Sequence, residues 1–265
     1  MRFQLRLEAS NRRLRWMWKP IPVLYPGLSG CASRARHPGR VARIFSVTLR
    51  GRSRRHPASA RSFRTHCYDD DVSNAADPSI VRNLRTVFLD RDGILNEKMP
   101  EGQYVSRWED FHVLPGVPEA LRRLNEAGMQ VVVVSNQRGI ARGFYTVADV
   151  EAMHAAFQRQ LDSMGARIDA FFICPHDKGQ CNCRKPLPGL FEQAVARFPQ
   201  ITAATSVMIG DSFSDIEFGR RLGMRTIFIE GNPQQRKSGA EEAARLADLR
   251  FHSLPEAVDA LLGER

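Results

Sequence analysis

The sequence lacks a long apolar run. No stretch reaches 18 consecutive apolar residues, which is about the shortest length that reads as a candidate transmembrane helix. Residues 21–28 are apolar in part, but they are too few and contain Pro22 and Pro26. We therefore expect no transmembrane helix and no membrane partner.

Acidic residues are scarce in the first quarter of the chain. Residues 1–68 contain fifteen Arg, one Lys and a single acid, Glu8, so they carry +15 and leave −5 for the rest of a chain whose net charge is +10. They show no sustained strand or helix period. We predict a disordered, Arg-rich extension over residues 1–80 and one folded domain over residues 81–265. A transit peptide or a basic nucleic-acid arm remains an alternative for the extension, so nucleic acid is expected at most through this tail.

Cysteine is also scarce, and three of the five cysteines lie within ten residues of one another. Cys174, Cys181 and Cys183, together with His176, offer three thiolates and one imidazole, which is the ligand set of a closed structural zinc site. The C-x-H and C-x-C spacing differs from that of common zinc ribbons, so a disulfide remains the alternative. A disulfide would leave His176 and one thiol without an evident role. The clustering favours zinc and a reducing compartment, and we predict a cytoplasmic protein.

From Thr86 onward, apolar β-branched runs alternate with amphipathic stretches. This alternation predicts an α/β fold with a doubly wound, Rossmann-like, mostly parallel sheet of about five strands and helices on both faces. The predicted strands are residues 86–89, 131–134, 170–173, 206–209 and 225–229. Only about 25 residues separate the first strand from the next helix, so we expect no large cap domain.

One predicted helix has a well-marked start and an apolar stripe. Thr146 and Asp149 form a capping-box pattern. Helical spacing assigns a stripe of five residues to the core: Val150, Met153, Phe157, Leu161 and Met164. His154 beside the stripe is expected at the surface or in a satisfied position.

Polar and reactive residues come after four of the predicted strands. Asp90, Ser135 and Cys174 follow three of them directly, and Asp211 lies one residue beyond the fourth. In open α/β sheets, ligands bind at the carboxyl ends of the strands. An Asp-x-Asp pair alone could be turn chemistry, but two acidic strand ends together supply the hard oxygen ligands that Mg²⁺ prefers. A phosphate ester would be repelled there unless a metal and a cationic side chain offset the acids.

Four motifs, in this order along the chain, resemble those of the haloacid dehalogenase-type phosphatases. They are residues 90–92 (DRD), Ser135, Lys185 in a CRKP run, and residues 210–215 (GDSFSD). The resemblance implies that Asp90 is the nucleophile that carries the phosphoryl group as an aspartyl phosphate. It implies that Asp92 acts as general acid and then as general base. It also implies a Mg²⁺ ion held by the Asp90 carboxylate, the Asp92 backbone carbonyl and the Asp211 carboxylate.

The same resemblance implies residues that bind the phosphoryl group and the substrate. The candidates are Ser135, Asn136, Gln137, Arg138, Arg184 and Lys185. Asp215 would orient Lys185, although an acid at this point equally suits the first turn of a helix. Because Cys183 directly precedes Arg184 and Lys185, a zinc-bound loop would also fix where both cations point.

Within the superfamily, the chain resembles the heptose-bisphosphate and histidinol-phosphate phosphatases over about residues 84–233. The marks are residues 90–93 (DRDG), 135–143 (SNQRGIARG), 174–176 (CPH) and 181–186 (CNCRKP). Ile94, where Thr is usual, and a short segment between His176 and Cys181 are departures from the pattern. The resemblance implies removal of the 7-phosphate of heptose 1,7-bisphosphate, with histidinol phosphate or another small sugar phosphate as the alternative substrate.

Charge favours the bisphosphate. Arg138, Arg142 and Arg184 lie next to phosphoryl-binding motifs and suit a second phosphate. They would repel the cationic histidinol unless an acid intervened, for which the candidates are Glu97, Glu101 and Asp177. A non-catalytic phospho-receiver would need neither the CRKP run nor the thiol cluster, and a nucleic-acid-binding protein would continue its basic charge into the domain. A polynucleotide 3′-phosphatase is a distant alternative. We expect a monomer that hydrolyses a small phosphate ester.

Overall fold

A computed structural model of the protein describes residues 83–100, 102–236 and 238–263. The extension predicted over residues 1–80 lies outside these described residues and stays a prediction. None of the described helices combines the length and apolarity needed to cross a membrane.

One parallel sheet organises the described residues. Its strands are β1 (Thr86–Leu89), β2 (Gln130–Asn136), β3 (Ala170–Cys174), β4 (Ser206–Gly210), β5 (Arg225–Ile229) and β6 (Leu249–Phe251). They lie in the order β3-β2-β1-β4-β5-β6, so the predicted doubly wound α/β class is confirmed. The sequence does not predict β6, because three residues are too few to show a strand pattern.

Helices connect the strands. They are α1 (Val117–Glu126), α2 (Arg138–Ala141), α3 (Val147–Ser163), α4 (Gly189–Arg197), α5 (Phe213–Leu222), α6 (Ala240–Leu246) and α7 (Leu254–Leu262). Successive residues of β1 face opposite ways: Val87 and Leu89 join one buried apolar cluster and Phe88 joins another. Both faces of the sheet are therefore packed, which explains why its strands read as continuous apolar runs.

The start of α3 is as predicted, but its end is not. Thr146 and Asp149 form the reciprocal capping box. Met164 is 50% exposed, so assigning it to the core is wrong; the helix ends at Ser163, one residue before it. His154 is buried rather than at the surface, and its ring stacks on that of Phe171 with 4.2 Å between centroids.

Strand register brings the motifs to one edge. Leu89 of β1 lies opposite Val133 of β2 and Ile209 of β4, so the residues that follow all emerge at the carboxyl ends. Between β1 and α1, the described residues form a 3₁₀ helix at Trp108–Asp110 and two isolated bridges through Asn96. This short connection leaves the edge without a cap domain among the described residues.

Candidate active site

Three carboxylates meet at the carboxyl edge around one lysine. Oxygens of Asp90, Asp211 and Asp215 lie within 4.8 Å of one another, and all three residues are buried. Lys185 Nζ lies 3.0 Å from Asp90 Oδ1 and 2.7 Å from Asp215 Oδ1. Like charges this close would repel one another strongly in a buried site, so the ammonium is what allows them to share it. We call Asp90, Asp211 and Asp215 the carboxylate cluster.

The position and charge of Lys185 are both fixed. Burial acts to lower the pKa of Lys185, but the charges of Asp215 and Asp90 outweigh it, so the pKa is raised and the side chain stays an ammonium. Nζ also donates to the Val134 carbonyl at 2.6 Å. Asn136 clamps the backbone of Lys185, since its Oδ1 accepts from Lys185 N at 3.0 Å and its Nδ2 donates to Lys185 O at 3.1 Å. The Asn136 amide is thus engaged by the lysine.

Asp215 makes both of the contacts that the sequence left as alternatives. Its Oδ2 accepts from Ser212 N at 3.0 Å and Ser212 Oγ at 2.6 Å, as the acid of the capping box that starts α5. Its Oδ1 faces Lys185. Gly210 permits this approach, because a Cβ there would lie 2.3 Å from Asp215 Cβ. One carboxylate therefore starts the helix and orients the lysine.

A second lysine, which the sequence motifs do not point to, reaches the cluster. Lys98 Nζ pairs with Asp211 Oδ2, and both side chains are nearly buried. Gly93 makes the contact possible: its φ is +92°, and a Cβ there would lie 2.0 Å from Asp211 Oδ2 and 3.1 Å from Lys98 Cε. No pattern marks Lys98, because it lies in an irregular loop outside the family motifs.

Hydrogen-bond donors surround Asp92. Arg91 approaches it in a fork, with Nε 3.1 Å from Oδ1 and Nη2 2.8 Å from Oδ1 and 3.0 Å from Oδ2. Asn96 Nδ2 donates to Oδ1 at 3.0 Å. Arg91 is itself 1% exposed and lies over the Phe111 ring at 5.7 Å. A buried guanidinium in this geometry orients a carboxylate strongly, which sequence reasoning missed because Arg91 reads only as the spacer of the Asp-x-Asp motif.

Gln137 joins Asp92 to Ser135. Gln137 Nε2 donates to Ser135 Oγ at 2.8 Å and to Asp92 Oδ2 at 3.2 Å, while Tyr145 donates to Gln137 Oε1 at 2.8 Å. Gln137 and Ser135 are both about 1% exposed. Ser135 therefore lies beside Asp92 at the edge, and the Gln137 amide is engaged by protein groups.

Cys174, His176, Cys181 and Cys183 form a second cluster of possible metal ligands, which we call the thiol cluster. The three cysteines are free. Sulfur atoms of Cys174 and Cys181 lie 3.5 Å apart, and His176 Nδ1 lies 3.8 Å from Cys174 Sγ and 3.3 Å from Cys183 Sγ. Tetrahedral zinc with bonds of about 2.3 Å would separate two sulfurs by roughly 3.8 Å, so the donor set fits zinc. The expected set of four residues is brought together.

Three arginines near the edge differ in their surroundings. Arg138 is paired with Asp177, through Nε–Oδ1 at 2.5 Å and Nη2–Oδ2 at 3.1 Å, and this contact raises the pKa of Arg138. Arg142 Nη1 donates to Tyr104 Oη at 3.2 Å. Arg184 Nη1 donates to the His176 carbonyl at 3.4 Å, which ties it to the thiol cluster. The charge of Arg138 is thus partly offset by an acid.

Comparisons with known proteins show which family this chain resembles. The family model of the haloacid dehalogenase-like hydrolases matches residues 42–223, which include both clusters. A Mycobacterium tuberculosis protein (strain H37Rv) named D-glycero-alpha-D-manno-heptose-1,7-bisphosphate 7-phosphatase is 38% identical over 68% of this chain and 94% of its own length. A Bordetella bronchiseptica protein named D-glycero-beta-D-manno-heptose-1,7-bisphosphate 7-phosphatase is 33% identical over 62% of this chain and 93% of its own. The crystal structure of a D,D-heptose 1,7-bisphosphate phosphatase from B. bronchiseptica, complexed with magnesium and phosphate, aligns with a TM-score of 0.59 at 29% identity, covering 69% of this chain and 100% of that one.

Proposed function

The chain belongs to the haloacid dehalogenase-like hydrolases, and we propose that it is a magnesium-dependent phosphatase that removes the 7-phosphate of D-glycero-D-manno-heptose 1,7-bisphosphate. The observation that carries the proposal is the buried group of Asp90, Asp211 and Asp215 around Lys185. The relatives' names supply the substrate. Since relatives named for the alpha and for the beta anomer both match, the proposal covers either anomer.

Magnesium suits the carboxylate cluster, because close-set carboxylate oxygens are the hard ligands that it prefers. Asp90 and Asp211 would hold it through their carboxylates and Asp92 through its backbone carbonyl. When bound, the ion offsets the negative charge of the phosphoryl group. Lys98 also pairs with Asp211.

The reaction proceeds in two steps, with Asp90 as the nucleophile and Asp92 as the acid and then the base. In the first, an Asp90 oxygen bonds to phosphorus, the bond from phosphorus to the sugar oxygen breaks, and Asp92 gives that oxygen a proton. In the second, Asp92 takes a proton from a water molecule whose oxygen bonds to phosphorus, and the bond to Asp90 breaks. Phosphate leaves, and Asp90 and the Asp92 proton are restored.

Ser135 and Lys185 would bind the phosphoryl oxygens. Ser135 is a hydroxyl donor beside Asp92, and Lys185 is a fixed ammonium 3.0 Å from Asp90. Both are buried, so their positions are set before the substrate arrives, which is where such electrostatic stabilisation is most effective. Asn136 and Asp215 would act through Lys185 rather than on the phosphoryl group itself.

Zinc in the thiol cluster would serve as a positioning device. Four ligands of this type close the coordination sphere and leave no open position for catalysis. Cys183 is adjacent to Arg184 and Lys185 in the chain, so order in the cluster would be passed directly to both cations.

A second substrate, histidinol phosphate, is favoured by one contact. Asp177 lies against Arg138, so the positive charge that would repel a cationic leaving group is reduced at that point. Arg184 has a backbone carbonyl as its partner instead, which leaves its charge for a second phosphate and favours the bisphosphate.

The test is Mg²⁺-dependent phosphate release from heptose 1,7-bisphosphate and histidinol phosphate by the wild type and by Arg184→Ala. We expect preference for the bisphosphate and, in the variant, about a tenfold or larger loss on that substrate alone, as for a lost charged hydrogen bond. Arg138→Ala, which removes a guanidinium already offset by Asp177, is the matched control and should lose less. Preference for histidinol phosphate, or no loss in Arg184→Ala, would contradict the bisphosphate assignment.

A further inference from the structure

The Gln137 side chain lies between two chemical parts of the site. Its Nε2 contacts Ser135 Oγ at 2.8 Å and Asp92 Oδ2 at 3.2 Å. While Asp92 is ionised, its oxygens only accept hydrogen bonds, and the amide presents its nitrogen to Oδ2. One amide hydrogen is then donated to Ser135 Oγ and the other to Asp92 Oδ2. The orientation of the amide is therefore determined by the chemistry of its partners.

Tyr145 fixes the other end of the amide. Its hydroxyl donates to Gln137 Oε1 at 2.8 Å, and burial raises the pKa of Tyr145 to about 12, so the hydroxyl keeps its proton. Gly139 leaves room for the ring, since a Cβ there would lie 2.2 Å from Tyr145 Cε1. The backbone N–H of Gln137 also donates to the Cys174 carbonyl at 2.8 Å. The amide is held from several sides and is 1% exposed.

The direction of these hydrogen bonds sets the direction of the Ser135 hydroxyl. A serine hydroxyl has one hydrogen and two lone pairs. Because Ser135 Oγ accepts from Gln137, the hydroxyl hydrogen is directed elsewhere, and the open carboxyl edge is where a phosphoryl oxygen would accept it. The same amide holds Asp92 Oδ2, so one side chain sets the positions of both groups.

We propose that Gln137, oriented by Tyr145, is a positioning residue that aims the Ser135 hydroxyl at the phosphoryl group and holds Asp92 for proton transfer to the leaving oxygen. The proposal rests on the proposed phosphatase function. In the step it serves, the electron pair of the breaking bond stays on the leaving oxygen, which takes the proton of Asp92. Gln137 acts through Ser135 and Asp92 and takes no part in making or breaking a bond.

The test uses leaving groups that differ in their need for a proton. A sugar alkoxide is a strong base and leaves with the help of a general acid, whereas p-nitrophenolate leaves without one. With Gln137→Met, we expect kcat/KM, which reports the steps up to departure of the leaving group, to fall roughly 100-fold on heptose 1,7-bisphosphate, the scale of a misplaced catalytic group. On p-nitrophenyl phosphate we expect kcat/KM to fall only about threefold, from the misdirected Ser135 hydroxyl, because that leaving group needs no proton from Asp92. Tyr145→Phe should show the same selectivity with a smaller loss.

Gln158→Met is the matched control. Gln158 also contacts an aspartate, through Nε2–Asp162 Oδ1 at 2.8 Å, and accepts from Ile168 N at 3.1 Å, but it lies on α3 away from the edge. It should change stability without changing the ratio of the two activities. Melting temperatures of all variants identify loss of fold; if Gln137→Met does not fold, Tyr145→Phe, which removes one oxygen, decides the question.

The outcomes separate this proposal from the proposed function. Equal losses on both substrates, a loss confined to KM, or full activity on both would overturn the role of Gln137 toward Asp92. Failure of the proposed function looks different: the wild type would release no phosphate from either substrate, or Asp90→Asn would remain active.

Discussion

The two clusters of potential metal ligands at the carboxyl edge differ in how their charge is compensated. In the carboxylate cluster, Lys185 lies between Asp90 and Asp215, and Lys98 pairs with Asp211. In the thiol cluster, the described side-chain contacts of the sulfurs are with one another and with His176. Burial there raises the pKa of the Cys174 and Cys183 thiols. Among the described contacts, lysines pair with the carboxylates but no cation pairs with a sulfur.

This difference indicates different tasks. The lysines offset the charge of the carboxylates, so that cluster is suited to bind a metal and a phosphate group that enter and leave during turnover. Cys174 and Cys183, whose pKa values burial raises, would lose their protons on binding a metal, whereas hydrogen bonds outweigh burial and lower the pKa of Cys181. The zinc ion that we propose there would complete a closed set of four ligands and fix the loop that precedes Lys185.

The largest loss of activity should follow from changing the nucleophile in the carboxylate cluster. Asp90→Asn removes the carboxylate oxygen that bonds to phosphorus, and an amide cannot replace it, so we expect turnover to fall by about a thousandfold or more. The melting temperature should change little, because the amide keeps the shape of the side chain. Phosphate release and thermal unfolding measure the two quantities. Residual activity above that level would contradict covalent catalysis by Asp90.

A smaller loss, with a different signature, should follow from changing the thiol cluster. Cys181→Ala removes one of four zinc ligands but none of the reacting groups, so we expect activity to fall by roughly 10- to 100-fold, as when metal-site support is weakened. Zinc content per chain should fall from one, and amide hydrogen exchange should rise over residues 174–185. Asn182→Ala, between the two ligand cysteines and exposed, is the control.

Two results would contradict that expectation. A wild type without zinc, in which all three thiols react freely, would mean that the cluster holds no metal. A Cys181→Ala variant with unchanged exchange and reduced activity would mean that the cluster acts on the chemistry by another route than positioning the loop.

Sequence patterns predict the sheet, the four residues of the thiol cluster, and Asp90 and Asp211 of the carboxylate cluster, because each depends on short-range information; Asp215 joins the cluster where the predicted set had Asp92. Asp90 and Asp211 follow β-branched runs, and the parallel register of β1 and β4 then brings them together. The supporting contacts depend instead on irregular backbone. Lys98 reaches Asp211 only through the turn at Gly93, and Tyr145 reaches Gln137 only because Gly139 leaves space. Neither contact is marked by a periodic sequence pattern, so only the three-dimensional packing shows them.

The smallest effect, and the most direct test of the lysines that pair with the carboxylates, concerns Lys98. Its ammonium pairs with the Asp211 carboxylate, and both side chains are nearly buried. A magnesium ion held by Asp211 would compete with this ammonium for the carboxylate. Lys98→Met removes the competitor and leaves the cluster more negative, so both effects strengthen Mg²⁺ binding. We expect about a tenfold lower Kd, equivalent to about 1.4 kcal/mol, when binding is measured by calorimetry without substrate.

Lys178, which is exposed on the loop of the thiol cluster, provides the control. Lys178→Met makes the same chemical change without touching Asp211, so Mg²⁺ affinity should stay the same. Without added Mg²⁺, the Lys98→Met protein should also unfold at a lower temperature than the wild type, since the buried Asp211 carboxylate loses the cation that pairs with it, and added Mg²⁺ should abolish this difference. Weaker Mg²⁺ binding in Lys98→Met would show that this lysine supports the metal site rather than competing with it. The carboxylate cluster would then no longer differ from the thiol cluster in having lysines that compete with its metal.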